Sequence, residues 1–239
     1  MENLSRNSIS RNYEIDLLRG LAIVLMIFFH FGYDLTIFGW ADFSTSNDIE
    51  WKLFRTIIVI SFLSAVGMSS YLAYQKSINK IKLAKAVGKL FVVSLFITIG
   101  SLFMNPSTWV YFGIIHFITV ALPISVLFVR VPNVALTIGT ICIVGYWIGI
   151  LNLYPFWEWS VLHLGIPKRT LDLVSFFPWI GVVLIGIFVM HKKFFYIKFK
   201  PSVVTNKLVF LGQHSLIIYL IHQPILYGLF GLTDVVLGR

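Results

Sequence analysis

Residues Leu17–Gly39 read LLRGLAIVLMIFFHFGYDLTIFG. After Arg19 the run is apolar as far as His30, and a helix of about 20 such residues crosses a hydrocarbon core. The tail before it is polar and rich in Arg, with no small-residue cleavage site, so the run reads as a helix rather than a leader. Six further apolar runs follow, at Leu53–Tyr74, Ala86–Met104, Val110–Val129, Val134–Leu151, Phe176–Met190 and Leu208–Leu229. The sixth is short, but Pro178 falls in its first turn, where a missing N–H is tolerated. The predicted fold is all-α: one domain over residues 1–239, a polytopic transmembrane bundle of about seven helices.

Composition agrees. The chain is 58% hydrophobic and 12% charged, with 22 Phe and 7 Trp. Soluble domains carry about a quarter charged residues. Half of that leaves too little polar surface to cover a globule in water, whereas helices in lipid satisfy their own backbone. The net charge of +9 does not signal nucleic acid, because the cations sit in short loops. With the N-terminus inside, Lys52, Arg55, Lys168, Arg169 and Arg239 fall outside and the other 14 of the 19 Lys and Arg fall inside. That bias predicts an N-inside, C-outside protein with an odd number of spans. Trp40, Trp51, Trp109, Trp157, Trp159 and Trp179 all fall near the outer boundary, as an aromatic belt does. Cys142 is the only cysteine and reads as a buried, inert thiol.

Ionisable side chains within spans are costly and point to function. His30 and Asp34 are one turn apart on one face of the first helix, a spacing at which a carboxylate can orient an imidazole. His116 lies in the fourth run, His222 in the seventh, and Asp172 just before the sixth, near Pro178 and Trp179. With the orientation above, these groups share the outer half of the bilayer, which predicts a polar cavity open to the outside. At the inner end, Asp16 can pair with Arg19 at i,i+3. Alternatively Arg19, with nearby Lys and with His214, can hold the phosphates of a cytoplasmic donor. His163 reads as a solvated loop residue and His191 as a helix-end residue. No Gly-rich nucleotide loop, zinc-spaced Cys/His set or Ser-His-Asp signature is present, so no metal is expected.

Four segments carry a family resemblance. They are YEIDLLRGLAIVLMIFFHFGYDL (Tyr13–Leu35), YFGIIHFITVAL (Tyr111–Leu122), DLVSFFPWIGVVLIGI (Asp172–Ile187) and LGQHSLIIYLIHQPIL (Leu211–Leu226). In this order they resemble the heparan-alpha-glucosaminide N-acetyltransferase catalytic-domain family in its short bacterial form. The LRG…H opening also resembles the wider acyltransferase 3 family. The resemblance implies transfer of an acetyl group from cytoplasmic acetyl-CoA to an extracytoplasmic glycan or amino-sugar acceptor, across a bacterial cytoplasmic membrane. In larger members the active-site His follows the first helix. Phe31–Thr56 holds none, and His30 matches by position.

The expected mechanism is metal-free acyl transfer. His30 is the general base, oriented and charged by Asp34. His116 or His222 stabilises the oxyanion, and an acetyl-His intermediate is an open variant. Asp172, Trp179 and His222 are expected around the acceptor, and Arg19 and His214 around acetyl-CoA. The partners are these two substrates and the lipid bilayer, with self-association open. The rival reading is a proton-coupled transporter with a His/Asp relay.

Overall fold

In the computed structural model, residues 12–45, 47–194 and 200–238 are described. Arg6, Arg11, Lys198 and Arg239, counted in the charge bias, lie outside them. Helix α1 (Tyr13–Ile37) starts where the Asn12 side chain accepts from the Ile15 N–H at 2.9 Å, with Glu14 and Asp16 in its first turn. Both features favour a helix start. The chain continues through α2 (Ile49–Tyr74), α3 (Lys80–Met104), α4 (Ile114–Phe128), α5 (Pro132–Trp147), α6 (Tyr154–Leu164), α7 (Phe176–His191), α8 (Val203–Gln213) and α9 (Ser215–Leu237). Asn79 and Ser202 cap α3 and α8 from their side chains, and Pro132 opens α5.

Four helices, α1, α2, α3 and α9, are long and apolar enough to cross a membrane. Helices α4, α5 and α7 are equally apolar but shorter. These seven coincide with the seven runs of the sequence, with three adjustments. The fourth run turns helical only at Ile114. The seventh breaks at His214, whose backbone leaves the helical region (φ −106°, ψ 15°) while its ring Nδ1–H donates back to the Phe210 carbonyl at 2.9 Å. That bond and the poor helix former Gly212 end α8 and let α9 start on a new axis. The third adjustment is α6, an aromatic helix in what reads as a loop. It ends at Gly165 in the left-handed region (φ +66°). His163 therefore sits on a helix, stacked on Trp159 and bonded to its carbonyl.

Helix α7 is the hub. It packs against α2, α4 and α5, while α1 packs against α2, α8 and α9, and α3 lies on α4. Small residues set the closest approaches. A Cβ on Gly20 would strike the Leu208 carbonyl of α8, and one on Gly212 the Asp16 carbonyl of α1. Backbone-to-backbone contact of this kind is what membrane helices use in place of a hydrophobic drive. Hydroxyls add cross-links: Ser125 donates to Ser70 at 2.9 Å, and Ser94 meets Thr119 at 3.3 Å. The outer surface is apolar. On α3, Phe91, Phe96, Ile99 and Phe103 face outward, and among its described residues only Ser94 is buried. A surface so rich in exposed Phe and Ile needs hydrocarbon as its solvent, and the protein is a membrane protein.

Between α3 and α4 the chain runs extended beside the segment before α7. Leu171 N–H donates to Thr108 O at 3.0 Å, and Val174 N–H to Phe112 O at 3.1 Å. This pairing delivers Asp172 to the start of α4.

Candidate functional site

Helix α1 carries His30, Tyr33 and Asp34 to the face that meets α9, where Tyr219, His222 and Gln223 lie at i, i+3 and i+4. The His30 and His222 rings meet edge-on with centroids 4.8 Å apart. His222 is buried, and its Nδ1 lies 2.6 Å from the Tyr219 carbonyl. A carbonyl only accepts, so Nδ1 carries the proton and the neutral ring keeps its lone pair on Nε2. That Nε2 is buried without a hydrogen-bond partner, as is His30 Nδ1. Buried polar atoms in native structures are nearly all partnered, so two orphans on facing rings mark a place built for something else.

Asp34 is wholly buried but does not hold His30. Its Oδ1 accepts from Gln223 Nε2 at 2.8 Å, and its Oδ2 is unpartnered. The expected His30–Asp34 pair is thus replaced by a tie between α1 and α9, because the α9 amide reaches the carboxylate first. Asp172 is a second tie. Its Oδ2 accepts from the Ile114 N–H at 3.0 Å and from the Tyr219 hydroxyl at 3.1 Å, capping α4 and holding α9.

Three cavities converge here. One of about 320 Å³ is lined by His30, Tyr33, Lys52, Arg55, Asp172 and Tyr219 among others. A narrower, more apolar one of about 190 Å³ lies between α3 and α9, and His30, Asp172, Tyr219 and His222 line it too. The third, about 390 Å³, opens toward the other end of the bundle, where Arg19, Ser69, Lys89 and Gln213 line it. Tyr219 is a wall of all three, and Phe62 and Ile114 separate the first from the third.

The remaining expected residues stand as follows. Arg19 pairs with Asp16 at 3.6 Å and donates to Ser69 Oγ at 2.9 Å, on the wall of the large cavity. His214 is exposed and bonded to Phe210 O; its neighbours Gln213 and Ser215, rather than its own ring, line that cavity. His116 stands apart from the His30–His222 pair. Its Nδ1 accepts from the Gly113 N–H at 3.3 Å, and its Nε2 lies 2.9 Å from Thr98 Oγ1, which in turn donates to Val110 O. Both ring nitrogens are thereby occupied at the start of α4. Trp179 packs, half-buried, on the core cluster around Leu63 and Phe117. His191 meets the Tyr71 hydroxyl at 2.8 Å. Among the described residues no group of three or more His, Cys, Asp or Glu is placed to share a metal ion.

Sequence reasoning passed over Tyr219, Gln223, Lys52 and Arg55. The first two had a signal, since Tyr219 lies one turn before His222 and Gln223 one turn after Tyr219. Comparison with curated proteins and with solved structures finds no match. The family model described as "Heparan-alpha-glucosaminide N-acetyltransferase, catalytic" matches residues 11–224, a range that contains the His30–His222 pair and the Arg19 cavity. This membrane protein therefore belongs to the heparan-alpha-glucosaminide N-acetyltransferase catalytic family, a family of membrane acyltransferases.

Proposed function

We propose that the chain transfers an acetyl group from cytoplasmic acetyl-CoA to an amine or hydroxyl of a glycan or amino sugar on the far side of a bacterial cytoplasmic membrane. In this reading the seven apolar helices all span, with the N-terminus inside and the C-terminus outside. The carrying observation is the pair of facing imidazoles, each with a buried unpartnered nitrogen, on cavities that meet a third at Tyr219. Family membership favours transfer over proton transport.

The donor enters at the Arg19 end. Arg19 and Lys89 suit the CoA phosphates, which bind cations by charge-assisted bonds, and the apolar remainder of that cavity suits the pantetheine arm. The acceptor occupies the Lys52–Arg55 end. His222 Nε2, its tautomer fixed by Tyr219 O, takes the proton from the attacking amine or hydroxyl. His30 sits opposite, placed to bond the carbonyl oxygen as it becomes an oxyanion or to pass the proton on to the departing thiolate. Asp34 and Asp172 act through Gln223 and Tyr219, keeping α9 in register so that His222 faces His30. His116 secures the start of α4 beneath Asp172.

A positioned base contributes about 10²–10⁴-fold. With purified protein in liposomes, acetyl-CoA and glucosamine as probe, His222→Ala and His30→Ala should each lower transfer by about 100-fold or more. Acetyl-CoA binding should be unchanged in both and weakened in Arg19→Gln with Lys89→Gln. Full transfer in both histidine variants would remove the pair from the chemistry.

A further inference from the structure

Lys52 and Arg55 are out of place for a membrane protein. They lie in the first two turns of α2. They also belong to the minority of cations on the side proposed to be outside, against the usual bias. Local acids do not explain them. Asp48 and Glu50 do not line the cavity, and among the described residues neither Lys52 nor Arg55 forms an ion pair. Arg55 donates from one terminal nitrogen to Leu173 O at 2.7 Å, a bond that aims its guanidinium and leaves its other donors available. Asp48, at the N-cap of α2, makes no side-chain bond to the first turn.

Both cations line the 320 Å³ cavity together with His30, Thr45 and Asp172. Among the described residues Asp172 is the only acid lining it, and one of its oxygens already serves Ile114 and Tyr219. An anion seated between Lys52 and Arg55 would answer the charge of both. Among the described lining residues no second carboxylate is available to do so.

We infer that the cavity binds its acceptor through an anionic group, phosphate or carboxylate, held by Lys52 and Arg55 while the reacting amine or hydroxyl faces His30 and His222. The acceptor is therefore an acidic sugar, free or carried on a lipid. This rests on the acyl-acceptor reading above, but binding tests it separately from turnover.

The test is calorimetric binding of glucosamine 6-phosphate and of glucosamine to the full chain in phosphatidylcholine nanodiscs. The phosphorylated sugar should bind at least tenfold more tightly. Lys52→Gln with Arg55→Gln should erase the preference, and Lys52→Arg with Arg55→Lys should keep it. His222→Ala should keep it as well while losing transfer. If His222→Ala transfers normally, the chemistry assigned to the pair fails and the anion site stands. Equal binding of the two sugars to the parent protein, or a preference surviving in the double Gln variant, overturns the inference. In phosphatidylglycerol nanodiscs, loss of the preference means that lipid phosphates compete for the site, which assigns the anion to a lipid-borne acceptor. Retention assigns it to a soluble one.

Discussion

The carbonyl of Tyr219 decides which nitrogen of His222 is available, and the Asp34–Gln223 bond decides where that nitrogen points. Buried carboxylates in a bundle are expensive, and Asp34 has a single partner. Asp34→Asn keeps an acceptor for Gln223 and removes the charge. We expect its transfer within about threefold of the parent and its thermal midpoint unchanged or raised. Asp34→Ala and Gln223→Leu each strand a buried polar partner, which costs about 1–3 kcal/mol, and each should lower both the midpoint and transfer. A large loss of transfer in Asp34→Asn at full stability would instead support a carboxylate that charges His30. The His30/Asp34 spacing was legible as one helical face, but its partners were not. The i,i+4 rule says which residues can meet on one helix and nothing about an amide arriving from residue 223, which only the packing of α9 on α1 supplies.

At the scale of elements, the apolar runs were legible because hydrocarbon length and hydropathy act on each helix alone. The ends were less so. Phe112 extends rather than coils because it pairs with the strand-like Leu171–Val174, a partner some 60 residues away. The break at His214 was hidden inside an unbroken apolar run. It follows from α8 having to lie flush on α1, and this contact is testable. Gly20→Val places a side chain against the backbone of Leu208, and overpacking of that kind costs about 1–3 kcal/mol. Thermal unfolding should register the loss. Gly88→Ala on α3 meets nothing within 4 Å and should be neutral or gain about 0.5–1 kcal/mol from helix propensity. A destabilised Gly88→Ala beside a tolerated Gly20→Val would reverse this assignment of close contacts.

For the whole molecule, orientation is the property most worth fixing, since it decides which cavity faces the proposed acetyl-CoA donor. Cys142 is buried and unpaired, so Cys142→Ser offers a background for single-cysteine labelling in intact cells. Ser107→Cys, between α3 and α4, should react with an impermeant maleimide from outside. Ser202→Cys, before α8, should react only after the cells are opened. The opposite pattern would exchange the two ends of the proposed mechanism.

Tyr219, shared by cavities from both ends, has an electrical consequence. A bilayer holds its voltage across its full insulating thickness, but a bundle hollowed from either side concentrates that drop in what remains between the hollows. Here what remains is Phe62, Ile114 and one phenol ring. A whole charge passing such a plug feels nearly the entire potential, about 2.3 kcal/mol per 100 mV, and an acetyl group that leaves its thiolate behind counts as one positive charge. On the acyl-transfer reading proposed above, an enzyme of this shape exports acyl groups without drawing on the membrane potential, provided that the proton displaced from the acceptor returns through the same plug to the departing thiolate.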